Sequence, residues 1–179
     1  MTPSFADRIT TAVRMTMDDL RARGTPTRVV KAGDVLGEET LSGEVLHPPS
    51  RGPEGNENAR SLVLLLKQEN LSILLTGDLE GPGLARVLAL SKIGVDILMA
   101  PHHGSKTSNN PDLARWAKPK VVISSQGPPR GNPKTTNPYG PAGATYLTTW
   151  NHGAVTIRKE GGKWLVDAYQ SKKRIEVHK

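Results

Sequence analysis

No cysteine occurs among the 179 residues. That excludes disulfides, thiolate metal sites and a cysteine nucleophile, and leaves His and Asp to hold any metal. Aromatic residues are scarce at 4%, so the core must be built from Leu, Val, Ile and Ala, and its strands should show as aliphatic runs. No run approaches the roughly 20 apolar residues of a membrane span. Residues 1–12 carry Asp7 and Arg8 where a signal peptide needs an uninterrupted apolar segment. As a chain it therefore reads as soluble, without signal peptide or transmembrane segment. Internal repeats, low-complexity tracts and a convincing linker are also missing, and the length is that of one ordinary domain.

What is present is an uneven positive charge. Lys and Arg number 24 against 17 Asp and Glu, a formal charge of +7. From Pro101 onward there are 13 basic and 4 acidic residues, whereas positions 1–100 hold 11 and 13. A basic half attracts phosphate-rich partners such as DNA at long range, and it is also a common way to solvate a surface.

Phe5, Ile9, Val13, Met17 and Leu20 recur at helical spacing until Gly24 and Pro26 end the pattern, so residues 1–27 open on an amphipathic helix. Segments 28–31 and 42–46 read as short strands around a turn at Gly33 and Asp34, and 47–59 as a loop. The apolar runs 61–67 and 71–76, joined by Gln68, Glu69 and Asn70, suit a buried hairpin. Leu84, Val87, Leu88 and Ser91 then recur at helical spacing, with Pro82 in the first turn. A strand over 95–100, a short helix over 112–117 and a strand over 120–124 follow, the alternation of an α/β fold with a mixed or mainly parallel sheet. Residues 126–143 read as a long loop, 155–158 and 163–169 as a hairpin about Gly161 and Gly162, and 171–179 as a basic tail.

Asp78 ends an aliphatic strand just ahead of a helix, where α/β folds present ligands, although an Asp there often serves as a helix cap. His102 and His103 follow the next strand in the same way, beside Gly104, which admits a close backbone or ligand. Together the three make a candidate metal corner of the kind zinc or manganese accepts in a cysteine-free protein. Ser105, Thr107, Ser108 and Asn109 could hold phosphate oxygens, or could form an ordinary loop with a helix cap at Asn110. His47 reads as structural, and His152 and His178 receive no role.

Four segments in order, NARSLVLLL (58–66), LLTGDLE (74–80), DILMAPHHGSKTS (96–108) and VIS (122–124), resemble the C-terminal half of the metallo-β-lactamase-fold domain of ComEC-type DNA-uptake proteins. The likeness spans roughly residues 31–169. It implies a four-layered αββα sandwich with metals in the cleft between two sheets, of which residues 28–170 would supply mainly the C-terminal half, and 1–170 an incomplete domain. It further implies Asp78 as the bridging carboxylate and His102 or His103 as the last imidazole ligand, while Ser105 and Ser108 of the polar run after the histidines are the candidate substrate contacts. The family's main His and Asp cluster has no counterpart in residues 1–60, and Asn137-Pro138-Tyr139-Gly140-Pro141 lacks the histidine usual after the glycine.

The expected function is therefore that of a ComEC-like hydrolase fragment. Its lineage implies metal-dependent cleavage of DNA phosphodiesters during uptake, with weak or absent metal binding and no activity alone. A complementing first-half domain or a membrane-embedded partner would complete it, and membrane association would follow only within a larger ComEC-type protein. The alternative is a non-enzymatic module that binds nucleic acid through the basic half. A metallo-β-lactamase-type hydrolase acting on other substrates ranks last.

Overall fold

The computed structural model describes residues 1–2, 10–38, 40–128 and 137–177. Seven strands form one sheet in sequence order: β1 (Val35–Glu38), β2 (Leu41–His47), β3 (Val63–Gln68), β4 (Leu71–Leu75), β5 (Ile97–Met99), β6 (Val121–Ser124) and β7 (Thr145–Thr148). β1 to β4 pair antiparallel, and β4 to β7 pair parallel. Crossover helices between the parallel strands are α2 (Gly81–Leu88) and α3 (Pro111–Ala117), the N-terminal helix being α1 (Thr11–Ala22). After the one-turn helix α4 (Thr149–His152), the strands β8 (Val155–Glu160), β9 (Lys163–Ala168) and β10 (Arg174–Val177) make a second, antiparallel sheet in the order β10-β9-β8.

The aliphatic runs are continuous because the large sheet is buried on both faces. Leu74, Leu98 and Val122 point to one side, where they pack with Leu84 and Val87 of α2 and with Leu113 and Trp116 of α3. Their neighbours Ile97, Val121, Ile123 and Leu147 point to the other side, against Trp164, Val166 and Val177 of the small sheet. The two-residue period of the strand thus feeds two cores at once. The small sheet is also tied on by Trp164, whose Nε1 donates to Asn70 Oδ1 at 3.1 Å. The described residues stack as helices, large sheet and small sheet, three layers in all.

α3 starts where its sequence says it should. Pro111 takes the first helical position and the Asn110 side chain accepts from Asp112 N and Leu113 N, both at 3.0 Å. α2 lies so close to the turn at Asn58–Arg60 that a Cβ on Gly83 would stand 2.0 Å from Ala59 O. Only glycine fits there.

Several expectations need correction. Residues 28–31 are not a strand; backbone bonds to Met1 hold them (Met1 N to Arg28 O, Val30 N to Met1 O) outside any sheet. β1 and β7 were not foreseen, being too short and too polar for a period to show. The basic tail of 171–179 contributes β10 instead, with Val177 buried and Arg174 paired to Asp167. The N-terminal helix buries none of its described residues, and Phe5 and Ile9 lie outside the described residues. It is the small sheet that covers the second face of the large one. The aliphatic inner stripe of β8–β10 offers more flat apolar contact than a helix bearing four charges on twelve residues.

Candidate metal corner

The parallel strands β4, β5 and β6 deliver three loops to one edge of the sheet. The first loop, after β4, carries Gly77 and Asp78, the second is the turn Pro101–Gly104, and the third carries Ser125 and Gln126. The backbone stitches the first two together, since His102 N donates to Gly77 O at 3.0 Å. Thr76 fixes them from beneath, its hydroxyl donating to Met99 O at 2.7 Å.

His102 and His103 both sit in the left-handed region, at φ 48° and 53°, and Gly104 follows at φ 78°. For residues with a Cβ this conformation costs on the order of 1 kcal/mol or more each, and it persists only where the surroundings impose it. The surroundings are polar and close. A Cβ on Gly104 would lie 2.6 Å from Gln126 Oε1, 2.7 Å from Ser124 Oγ and 2.9 Å from Tyr146 Oη. Asn109 clamps the turn from behind by donating through Nδ2 to Pro101 O and Ser105 O, each at 2.8 Å. Asn109 in turn accepts from the buried Tyr139 hydroxyl at 2.7 Å, and the Tyr139 ring stacks on Tyr146. Burial raises both phenols, that of Tyr139 far above its ordinary range, so Tyr139 acts as a neutral donor.

This frame gives the two histidines different partners. His103 Nδ1 meets Ser125 O at 2.8 Å, and because a carbonyl can only accept, that nitrogen carries the proton. The lone pair is thereby left on Nε2, which stands 3.6 Å from Asp78 Oδ1. A histidine anchored by one nitrogen to a backbone carbonyl, with the other nitrogen beside a carboxylate oxygen, is the arrangement of metal ligands and their outer partners. His102 instead places Nδ1 2.9 Å from Glu80 Oε2. Glu80 is itself held by Asn56 Nδ2 at 2.7 Å and Asn58 Nδ2 at 3.2 Å on its other oxygen. The Asn56 bond, with smaller help from His102 and Asn58, keeps the Glu80 carboxyl below its usual range against the opposing effect of burial.

Asp78 is not a helix cap, because Glu80 holds the cap position of α2. Ser105 stays near the edge with its hydroxyl on Thr107 Oγ1 at 2.9 Å, whereas the Ser108 side chain is fully buried and is not brought to the site. Asn110 is the helix cap that the same run of residues allowed. His47 is buried with Nδ1 on Ser61 O at 2.8 Å, and burial holds it below its ordinary value. His152 bonds the backbone of Thr148, and His178 lies outside the described residues. Glu80 and Ser125 escaped the sequence reading, and Asn109 was read as a possible phosphate contact rather than as the clamp of the turn. The Glu80 position closes the LLTGDLE segment, so the signal was on the page without a partner to explain it.

As donors for a divalent cation, Asp78 Oδ1 and His103 Nε2 fit two adjacent ligand positions. Among the described residues no three His, Asp or Glu side chains converge as a metal-holding group.

No family model matches the chain. Proteins do. It is 38% identical over 108 residues to the ComE operon protein 3 of Bacillus subtilis strain 168, a match covering 60% of this chain and 14% of that protein. Its relatives are ComEC-type proteins. Recombination protein 2 of Haemophilus influenzae is 39% identical over 77 residues, 43% of this chain and 9% of the relative. YcaI of Escherichia coli strain K12 is 28% identical over 130 residues, 68% and 17% of the two chains. The chain thus spans less than a fifth of the length of these ComEC-type relatives. A solved structure of a proposed metal-dependent hydrolase from Parabacteroides distasonis ATCC 8503 aligns at TM-score 0.43 and 17% identity, over 73% of this chain and 60% of that one. No helix among the described residues is long and apolar enough to cross a membrane.

Proposed function

We propose that this chain is the C-terminal part of a ComEC-type metal-dependent hydrolase that cleaves DNA phosphodiesters during uptake, and that it is inactive until another segment supplies the remaining ligands. The observation that carries this reading is the His103 Nε2 lone pair held 3.6 Å from Asp78 Oδ1 by the Ser125 carbonyl. The name of the relative Recombination protein 2 supports DNA as the substrate. A zinc or manganese ion bound there would polarise the phosphodiester and supply an ionised water.

The chain's own residues divide the remaining work. His103 and Asp78 are the ligands. His102, oriented by Glu80, keeps its Nε2 available to accept or return a proton at the edge of the corner. Ser105 is the hydroxyl that would meet a phosphate oxygen, in exchange for its bond to Thr107 Oγ1. Two ligands cannot hold a cation firmly against water, so a first-half segment bearing the missing His and Asp cluster is the expected partner, and any membrane association belongs to that larger assembly.

The test pairs calorimetric titration with manganese or zinc and plasmid cleavage, for the chain alone and co-expressed with a ComEC-type first half. Expected are weak metal binding and no cleavage alone, and both restored by the partner. Asp78→Ala and His103→Ala should then lose tight binding, while His102→Ala keeps the metal and loses turnover. Metal-dependent cleavage by the unaided chain, or full activity of the His103→Ala complex, overturns the reading.

A further inference from the structure

The positive charge of the second half is largely neutralised where the structure shows it. Arg115 pairs with Asp112, Lys120 with Asp96, Lys159 with Glu69 and Lys163 with Glu176. One cluster keeps an excess. On the outer face of the small sheet, Arg158, Lys172, Lys173 and Arg174 surround the single carboxylate of Asp167 in an open cleft of about 380 Å³. Asp167 Oδ2 takes Arg158 Nε at 2.7 Å and Oδ1 takes Arg174 Nε at 2.6 Å, which holds both guanidinium groups against the sheet. Arg158 also meets Glu160, so its charge is spent locally. Arg174 meets Asp167 through Nε, and it lines the cleft together with Lys172 and Lys173.

An aromatic ring lies on the same cleft. Tyr169 is 71% exposed, more than any other large hydrophobic side chain described, and Lys172 Nζ sits 4.4 Å from its ring centre. Its backbone is fixed, with Tyr169 N on Ala154 O and Gln170 N on His152 O, both at 2.8 Å. An exposed ring on a fixed backbone, with Lys172 and Lys173 beside it, is a stacking platform next to phosphate-binding groups.

We infer that this outer face, centred on Tyr169, Lys172, Lys173 and Arg174, is a binding site for single-stranded nucleic acid. The cations meet backbone phosphates and Tyr169 stacks on an unpaired base. A duplex offers phosphates but no free base face, so the ring selects the single strand. Next to the cleft's Tyr169, Gln170 N bonds His152 O of α4 at 2.8 Å. Binding in the cleft needs no metal and stands or falls separately from the hydrolase reading.

Fluorescence anisotropy of the full chain with labelled oligothymidylate, in chelator and at rising KCl, tests the site. Wild type should bind, more tightly than to a duplex of equal length. The Lys172→Ala/Lys173→Ala double variant should flatten the log–log salt dependence by about 1.4, two contacts of roughly 0.7 each. Tyr169→Ala should weaken binding about tenfold at every salt concentration, with Tyr169→Phe restoring it. Lys118→Ala, in a separate depression lined by Lys67 and Asp96, should bind as wild type does. Melting curves confirm that each variant is folded. The inference fails if wild type does not bind, if the cleft variants bind unchanged, or if duplex or phosphatidylserine vesicles compete as well as the single strand.

Discussion

The Tyr139 hydroxyl donates to Asn109 Oδ1 at 2.7 Å, and both side chains are buried. Because Asn109 spends its two amide protons on Pro101 O and Ser105 O, a residue of the long loop after β6 governs the turn that carries the histidines. Tyr139→Phe leaves a buried carbonyl oxygen without a donor, a cost of about 1–3 kcal/mol. The expected outcome is a lower melting temperature together with faster amide exchange at His102 and Ser105. Unchanged exchange at those amides would remove the link between loop and turn.

Gly104→Ala should be among the most damaging single-methyl changes in the protein. The new Cβ would meet Gln126, Ser124 and Tyr146 inside 3 Å while the backbone is held at φ 78°. Strain and overlap together are worth about 1–3 kcal/mol or more. Thermal unfolding should fall accordingly, and the His103 ring should lose its bond to Ser125, visible as a changed imidazole tautomer signal in nitrogen NMR.

His47 makes stability depend on pH. Burial lowers its folded pKa below the ordinary 6.5, with the Ser61 carbonyl opposing and Arg86 adding to the shift. The unfolded chain then binds the proton more readily, so stability is full above about 6.5 and is lost as pH falls from there toward the folded value. Chemical denaturation between pH 7.5 and 5 should show this loss, and His47→Gln should flatten it. An equal slope in the variant would assign the effect elsewhere.

Asp96 ties together the starts of β4, β5 and β6, accepting from Ser72 N and Ser72 Oγ at 2.8 Å and from Lys120 Nζ at 2.7 Å. Burial alone would raise its pKa, but those bonds hold it below the ordinary 3.8. Its contribution is therefore present above that value and disappears as pH drops through the folded pKa. Asp96→Asn should cost about 1–3 kcal/mol at neutral pH, since the charged partner is lost and one amide group faces donors. Near pH 3 the difference from wild type should shrink.

The aliphatic runs over 61–67, 71–76, 95–100 and 120–124 determined four strands and their burial, because a strand covered on both faces has no polar positions to blur it. Strand ends and a glycine likewise marked Asp78, His102 and His103 as residues of one sheet edge. Short half-polar strands such as β1, β7 and β10 carry no such signal; they form because a neighbour offers a ladder of hydrogen bonds. That the β8–β10 sheet covers the second face of the large sheet was likewise decided by tertiary packing, through Trp164, Val166 and Val177 against Ile97, Val121 and Leu147. The different partners of His102 and His103 were decided by tertiary contact alone. The two imidazoles are adjacent and chemically identical, each turns Nδ1 to its anchor, and only the positions of Glu80 and the Ser125 carbonyl, brought in by other segments, decide which anchor each ring meets.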